Sequence, residues 1–199
     1  MSYPYKFFCM GRMLIDKSMA YLNRDTPEDY VKTKRIYDIN RGITGSLYDL
    51  TYDSTYILNS IYLGNSYNAR NYYDLCDKNI GLIINCTEEI PNYFQGYFIY
   101  HNIDIKDING ANILPYLDQT VDIINEFIDN NPLKSVFVHC FMGSSRSATI
   151  VIAYLMKYKK MRLKDALELV KNKRNVVNLN IDFFRQLRKY QEQLDKSNY

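Results

Sequence analysis

Tryptophan is absent from this 199-residue chain, and histidine is nearly so, with only His101 and His139. The four cysteines (Cys9, Cys76, Cys86 and Cys140) show no metal-ligand spacing, so with two histidines a zinc site is not expected. At this length one domain can bury a proper core without disulfide or metal staples. No apolar run approaches the roughly 18 residues that span a bilayer, so no membrane partner is expected. The Phe7-Phe8 pair is surrounded by Lys6, Arg12, Asp16 and Lys17, which breaks any signal-peptide pattern. Met1-Ser2 lacks the glycine of a myristoylation site, and Lys196-Ser197-Asn198-Tyr199 lacks a prenylation box. A net charge of +3, scattered along the chain, argues against nucleic acid as a partner.

What the sequence does have is one stretch around which the rest is organised. Val136-Phe137-Val138-His139-Cys140 is a β-branched run ending in a cysteine. It leads into Phe141-Met142-Gly143-Ser144-Ser145-Arg146-Ser147 and then into an apolar run from Ala148 to Tyr158. A strand, a loop of small residues and a helix are expected in that order. The first N–H groups of a helix have no internal partners, and its positive dipole end faces the loop, so the loop is an anion site. The same field favours thiolate at Cys140, the nucleophilic form. Arg146 supplies a planar fork that fits two oxygens of a phosphate. The backbone of Phe141, Met142, Gly143, Ser144, Ser145 and Arg146 is the expected phosphate cradle, and a working thiolate points to a reducing, cytoplasmic compartment.

Along the chain, residues 1–55 read as an N-terminal helical extension without a clear role. Thr26-Pro27-Glu28-Asp29 is a good helix start, with the helix running to about Asn40. The tyrosine-rich tract 48–56 suits a packing layer against a sheet, with a substrate rim or a homodimer contact as alternatives. From residue 56 a regular alternation begins. Strands are expected at 57–58, 61–65, 81–86, 97–103 and 135–138. Helices are expected at 67–78, 117–128, 148–158, 163–173 and 181–194. The runs at 81–86, 97–103 and 135–138 read as fully buried strands. This is an α/β pattern: a mainly parallel, twisted sheet of about five strands with helices on both faces and the site beyond the strands' carboxyl ends.

The motif His139-Cys140-x-x-Gly143-x-x-Arg146-Ser147 resembles the signature loop of the cysteine-dependent protein phosphatases. Its lysine-free interior is similar to the dual-specificity branch. The blocks Ile61-Tyr62-Leu63-Gly64-Asn65, Ile83–Asn92 and Tyr100-x-x-Ile103-x-x-x-Asp107 resemble that family's blocks in order, so 56–199 reads as the catalytic domain. A later block, Asn180-Ile181-Asp182-Phe183-Phe184-x-Gln186-Leu187, carries Leu179 and Asp182 where Pro and Gly are usual.

The resemblance implies hydrolysis of phosphotyrosine and phosphoserine or phosphothreonine in protein substrates through a phosphocysteine, without metal or cofactor. A proton donor is needed for the leaving oxygen. Asp104 and Asp107 both follow the 97–103 strand, and Asp107 occupies the family's general-acid position, with Gly110 near enough to let its loop move. Ser147 is placed to hydrogen-bond the sulfur. His139 is expected to fix the loop by hydrogen bonds, and Asn180 to support the site. Cys86, at the end of a neighbouring strand, is within reach of a reversible disulfide with Cys140, although an inert core thiol is the simpler reading. Other readings are a phosphatase of RNA 5′-triphosphate, phosphoinositide or phosphoglucan, or a phosphoprotein-binding module without catalysis.

Overall fold

The computed structural model describes residues 54–197, so the expected helices within 1–53 and the homodimer contact lie outside the described residues. Five strands form one sheet: β1 (Thr55–Leu58), β2 (Ile61–Gly64), β3 (Ile80–Asn85), β4 (Ile99–Asn102) and β5 (Ser135–His139), in the order β1-β2-β5-β3-β4. The β1–β2 pair is an antiparallel hairpin turned by Asn59 and Ser60, both at positive φ. The other three pairings are parallel. β5 lies in the middle, between β2 and β3, and all five of its residues are buried. A parallel strand covered on both faces must be apolar along its length, as Val136-Phe137-Val138 is.

Among the described residues six helices are interleaved with the strands: α1 (Ser66–Ala69), α2 (Tyr72–Asp77), α3 (Leu114–Asn130), α4 (Arg146–Tyr158), α5 (Leu163–Lys173) and α6 (Ile181–Ser197). Helix α4 is buried from Arg146 to Met156, as its nearly uniform apolar sequence requires. Its core neighbours include Val136 and Val138 of the sheet, Leu117, Val121 and Ile124 of α3, Ala166 and Val170 of α5, and Phe183 and Leu187 of α6. On the opposite face, Gly64 brings β2 against α1. A Cβ there would lie 2.6 Å from Asn68 Oδ1 and 2.6 Å from the Phe137 ring.

Two expectations need correction. The helix expected over 67–78 is two short helices, because the first ends at Arg70 and Asn71 caps the next, its side chain accepting from the Asp74 N–H at 3.2 Å. The strand expected over 97–103 is the shorter β4, and it is an edge strand rather than a fully buried one, with Ile99 60% exposed. The central placement of β5 has the consequence that matters for function. The chain leaves the sheet at His139, in the middle of its carboxyl edge, and enters α4 seven residues later, at Arg146.

Candidate active site

The loop between β5 and α4 is shaped by its carbonyls, which are bound on the outside. Phe141 O accepts from the Ser66 N–H at 3.1 Å, Gly143 O from Arg174 Nε at 3.0 Å, and Ser144 O from the Asn178 N–H at 3.0 Å. Ser145 O accepts from the Thr149 N–H and Thr149 Oγ1, both at 2.9 Å. The N–H groups of Phe141, Met142, Ser144 and Ser145 donate to no acceptor among the described residues. A loop whose carbonyls face away and whose amides are left over is a cradle for an anion, set at the N-terminus of α4. Gly143 makes the tight part possible. Its φ is 67°, and a Cβ would lie 2.5 Å from Gly64 O and 2.8 Å from Arg174 Nη2.

Cys140 sits at the bottom of this cradle, buried, with its sulfur accepting from the Gly143 N–H at 3.2 Å and from Ser147 Oγ at 3.1 Å. Both donors stabilise negative charge on sulfur. Cys86 is its neighbour across the ladder. Asn85 pairs with His139, and the Cys86 N–H donates to His139 O at 2.9 Å, so the two cysteines follow at matching positions on adjacent strands. Burial, and then the Cys140 sulfur beside it, push the Cys86 thiol well above its ordinary range.

Arg146 is 5% exposed, and three of its five donors are engaged: Nη1 with Glu89 Oε2 (3.0 Å) and Ile105 O (3.1 Å), and Nη2 with Glu89 Oε1 (2.7 Å). Its Nε–H is buried without a partner. Nε–H and the second Nη2–H lie on one edge of the planar group, so Glu89 takes one edge and leaves the other for two substrate oxygens. Burial works against the charge of Arg146, but the Glu89 hydrogen bonds together with the charges of Cys140, Glu89 and Asp107 outweigh it and raise the guanidinium above its usual value. Burial likewise pushes the Glu89 carboxyl up, and Arg146 together with the Glu88 and Glu89 backbone reverses this, lowering it from its ordinary value.

Asp107 faces the same edge, its Oδ2 3.9 Å from Arg146 Nε. Its Oδ1 accepts from Ser145 Oγ at 3.0 Å and from Asn180 Nδ2 at 3.3 Å, while the Asn180 N–H donates to Ser145 Oγ at 3.1 Å. Asp104 is exposed and has no hydrogen bond to the loop. Cys140, Arg146, Ser147, Asp107 and Asn180 are therefore brought together. His139 differs from expectation. Its ring stacks on Phe137 at 5.4 Å, and its Nδ1 is buried without a hydrogen bond, so it supports the loop by packing and through its backbone carbonyl. Burial drives its pKa down to about 4; the nearby Cys140 backbone favours the proton too weakly to reverse that.

Three residues escape a reading by sequence alone. Glu89 lies within a recognisable block, but nothing local marks it as the partner of Arg146. Arg174, 1% exposed, resembles the basic residues at the end of any amphipathic helix, yet it turns inward to Gly143 O and to Thr55 Oγ1 at 3.1 Å. Asp182 accepts from the Gly110 N–H at 2.9 Å, across to the segment that carries Asp107. No group of three or more His, Cys, Asp or Glu suited to a metal occurs among the described residues, and no helix among them is long and apolar enough to cross a membrane.

Comparison with known proteins agrees with this geometry. Residues 61–193 match the family model of the dual specificity phosphatase catalytic domain. The human protein phosphatase Slingshot homolog 1 is 40% identical over 141 residues, which is 71% of this chain and 13% of that protein. Dual specificity protein phosphatase 1-A of Xenopus laevis is 37% identical over 138 residues, 69% of this chain and 37% of that protein. The chain thus spans a minor part of these relatives. Among solved structures, human DUSP28 superposes with a TM-score of 0.68 at 25% identity, covering 71% of this chain and 95% of that one. The human tyrosine phosphatase-like serine/threonine/tyrosine-interacting protein superposes with a TM-score of 0.66 at 30% identity, covering 71% and 97%. With the cysteine, arginine and acid assembled over one loop and the family model matched from β2 into α6, this chain belongs to the dual specificity phosphatase catalytic-domain family.

Proposed function

We propose that the chain removes phosphate from phosphotyrosine and from phosphoserine or phosphothreonine in proteins, in two steps through a phosphocysteine. The observation that carries this is the buried Cys140 sulfur beneath unpartnered loop amides, with the Arg146 Nε edge and Asp107 above it. In the first step the sulfur attacks phosphorus and the ester P–O bond breaks. The loop N–H groups and the free edge of Arg146 hold the equatorial oxygens, whose charge grows in the transition state. Asp107 gives its proton to the departing oxygen. In the second step water attacks phosphorus and passes a proton to Asp107. The P–S bond breaks, and Ser147 Oγ–H supports the leaving sulfur. A reducing intracellular compartment suits such a thiol.

Protein substrates are favoured over polyanions because two exposed cations of the flanking segments sit beside acids: Lys106 with Glu88 at 3.2 Å and Arg185 with Asp182 at 2.8 Å. The test is a side-by-side assay of para-nitrophenyl phosphate, phosphotyrosine and phosphothreonine peptides, and triphosphorylated RNA. Peptide turnover with little RNA turnover supports the proposal; the reverse order overturns it. Cys140→Ser is expected to abolish turnover and leave phosphate-ester binding measurable. Asp107→Asn is expected to slow turnover by roughly 100-fold or more. A larger loss in Asp104→Asn would move the acid to that residue.

A further inference from the structure

The segment that carries Asp107 is anchored at both ends. On one side Ile105 O accepts from Arg146 Nη1 at 3.1 Å. On the other, Gln186 of α6 accepts from the Ile113 and Leu114 N–H groups at 2.8 and 2.9 Å and donates to Ala111 O at 2.8 Å. Between Asp107 and Ala111 lies a turn, closed by the Ala111 N–H to Ile108 O at 3.2 Å, with Gly110 third in it at φ 83°. A turn with glycine at that position can flip its central peptide at small steric cost. The turn is open around Gly110, with no atom within 4 Å of where its Cβ would be. What opposes the flip is the Asp182 carboxylate, whose Oδ2 takes the Gly110 N–H at 2.9 Å. Asp182 is itself held, with Oδ1 accepting from Arg185 Nη1 at 2.8 Å and its N–H donating to Asn180 Oδ1 at 2.9 Å. The same Asn180 reaches Asp107.

We propose that Asp182 is a positioning residue for proton donation: by fixing the Asn109–Gly110 peptide it holds Asp107 over the cradle. An acid in the first turn of a helix also has a purely structural use, in stabilising the helix dipole. The two roles separate by leaving group. A poor leaving group such as the phenol of phenyl phosphate needs the proton in the transition state, whereas para-nitrophenol needs it much less.

The inference rests on Asp107 being the acid, and the experiment treats the two separately. Wild type, Asp107→Asn, Asp182→Ala and Asp182→Asn are assayed on phenyl phosphate and para-nitrophenyl phosphate, and hydrogen exchange of the Gly110 amide is followed in each. Asp182→Ala is expected to lose about tenfold in kcat on phenyl phosphate, with little change on para-nitrophenyl phosphate, and to lose Gly110 protection. Asp182→Asn, which keeps an acceptor oxygen, is expected to restore both. Equal losses on the two substrates, or a protected Gly110 amide in Asp182→Ala, would overturn the positioning role. If Asp107→Asn itself shows no dependence on the leaving group, the assignment of the acid fails instead.

Discussion

Glu89 determines what Arg146 can do. A guanidinium in this loop without the Glu89 carboxylate would keep its charge but lose the paired contacts that fix its plane. The paired contacts at 2.7 and 3.0 Å fix its plane and leave the Nε edge facing Asp107. Removing the carboxylate should therefore weaken oxyanion binding itself, not only the proton transfer. Glu89→Ala is expected to reduce kcat/KM by about tenfold or more on both phenyl and para-nitrophenyl phosphate, and to weaken inhibition by inorganic phosphate in parallel. Unchanged phosphate inhibition would mean that Arg146 orients itself without Glu89. This pattern is the opposite of that expected for Asp182, where the loss depends on the leaving group.

At the level of elements, the site depends on how helix ends and strand ends meet. Residue Arg174 follows α5, yet its side chain crosses to the outside of the phosphate loop at Gly143 O and to β1 at Thr55 Oγ1. Burial lowers its pKa, while the Cys140 sulfur acts in the other direction. Replacing it with methionine keeps much of the volume and removes the donors, so Gly143 O loses its partner. Arg174→Met is expected to cost about 2–4 kcal/mol in urea unfolding and to lower turnover, with phosphate binding falling alongside. A variant as stable as wild type would show that the loop holds its shape unaided. Such ties explain what was legible in advance. The strand-loop-helix signature is contiguous, so Cys140, Arg146 and Ser147 were readable from neighbours alone. The apolar periods of α3 to α6 were equally local. Glu89, Arg174 and Asp182 act on partners 57, 31 and 72 residues away, and no local spacing carries such pairings. The edge position of β4 was hidden for the same reason, since an apolar run does not tell which strand lies beside it.

For the molecule as a whole, the same central burial that shapes the site makes its stability depend on pH. His139 ends the middle strand, lies 1% exposed, and has its pKa driven by burial from 6.5 to about 4. Between those values the unfolded chain binds a proton that the folded chain refuses, so folding is most stable above the upper value and loses stability as pH falls toward the lower one. His101, also lowered by burial, acts in the same direction. The depressed carboxyls of Glu89 and Asp118 contribute only at more acid pH, below the ordinary carboxylate range. Among the described residues, the window between is left to the two histidines. Lowering the pH from about 7 to about 5 is expected to cost about 2 kcal/mol in urea unfolding through His139. A His139→Asn variant should lose most of that slope while keeping the Cys86 N–H to backbone carbonyl link that a side-chain change does not touch. Should the variant titrate as steeply as wild type over this range, the acid sensitivity arises elsewhere, and the ring at position 139 must accept its proton in the folded chain.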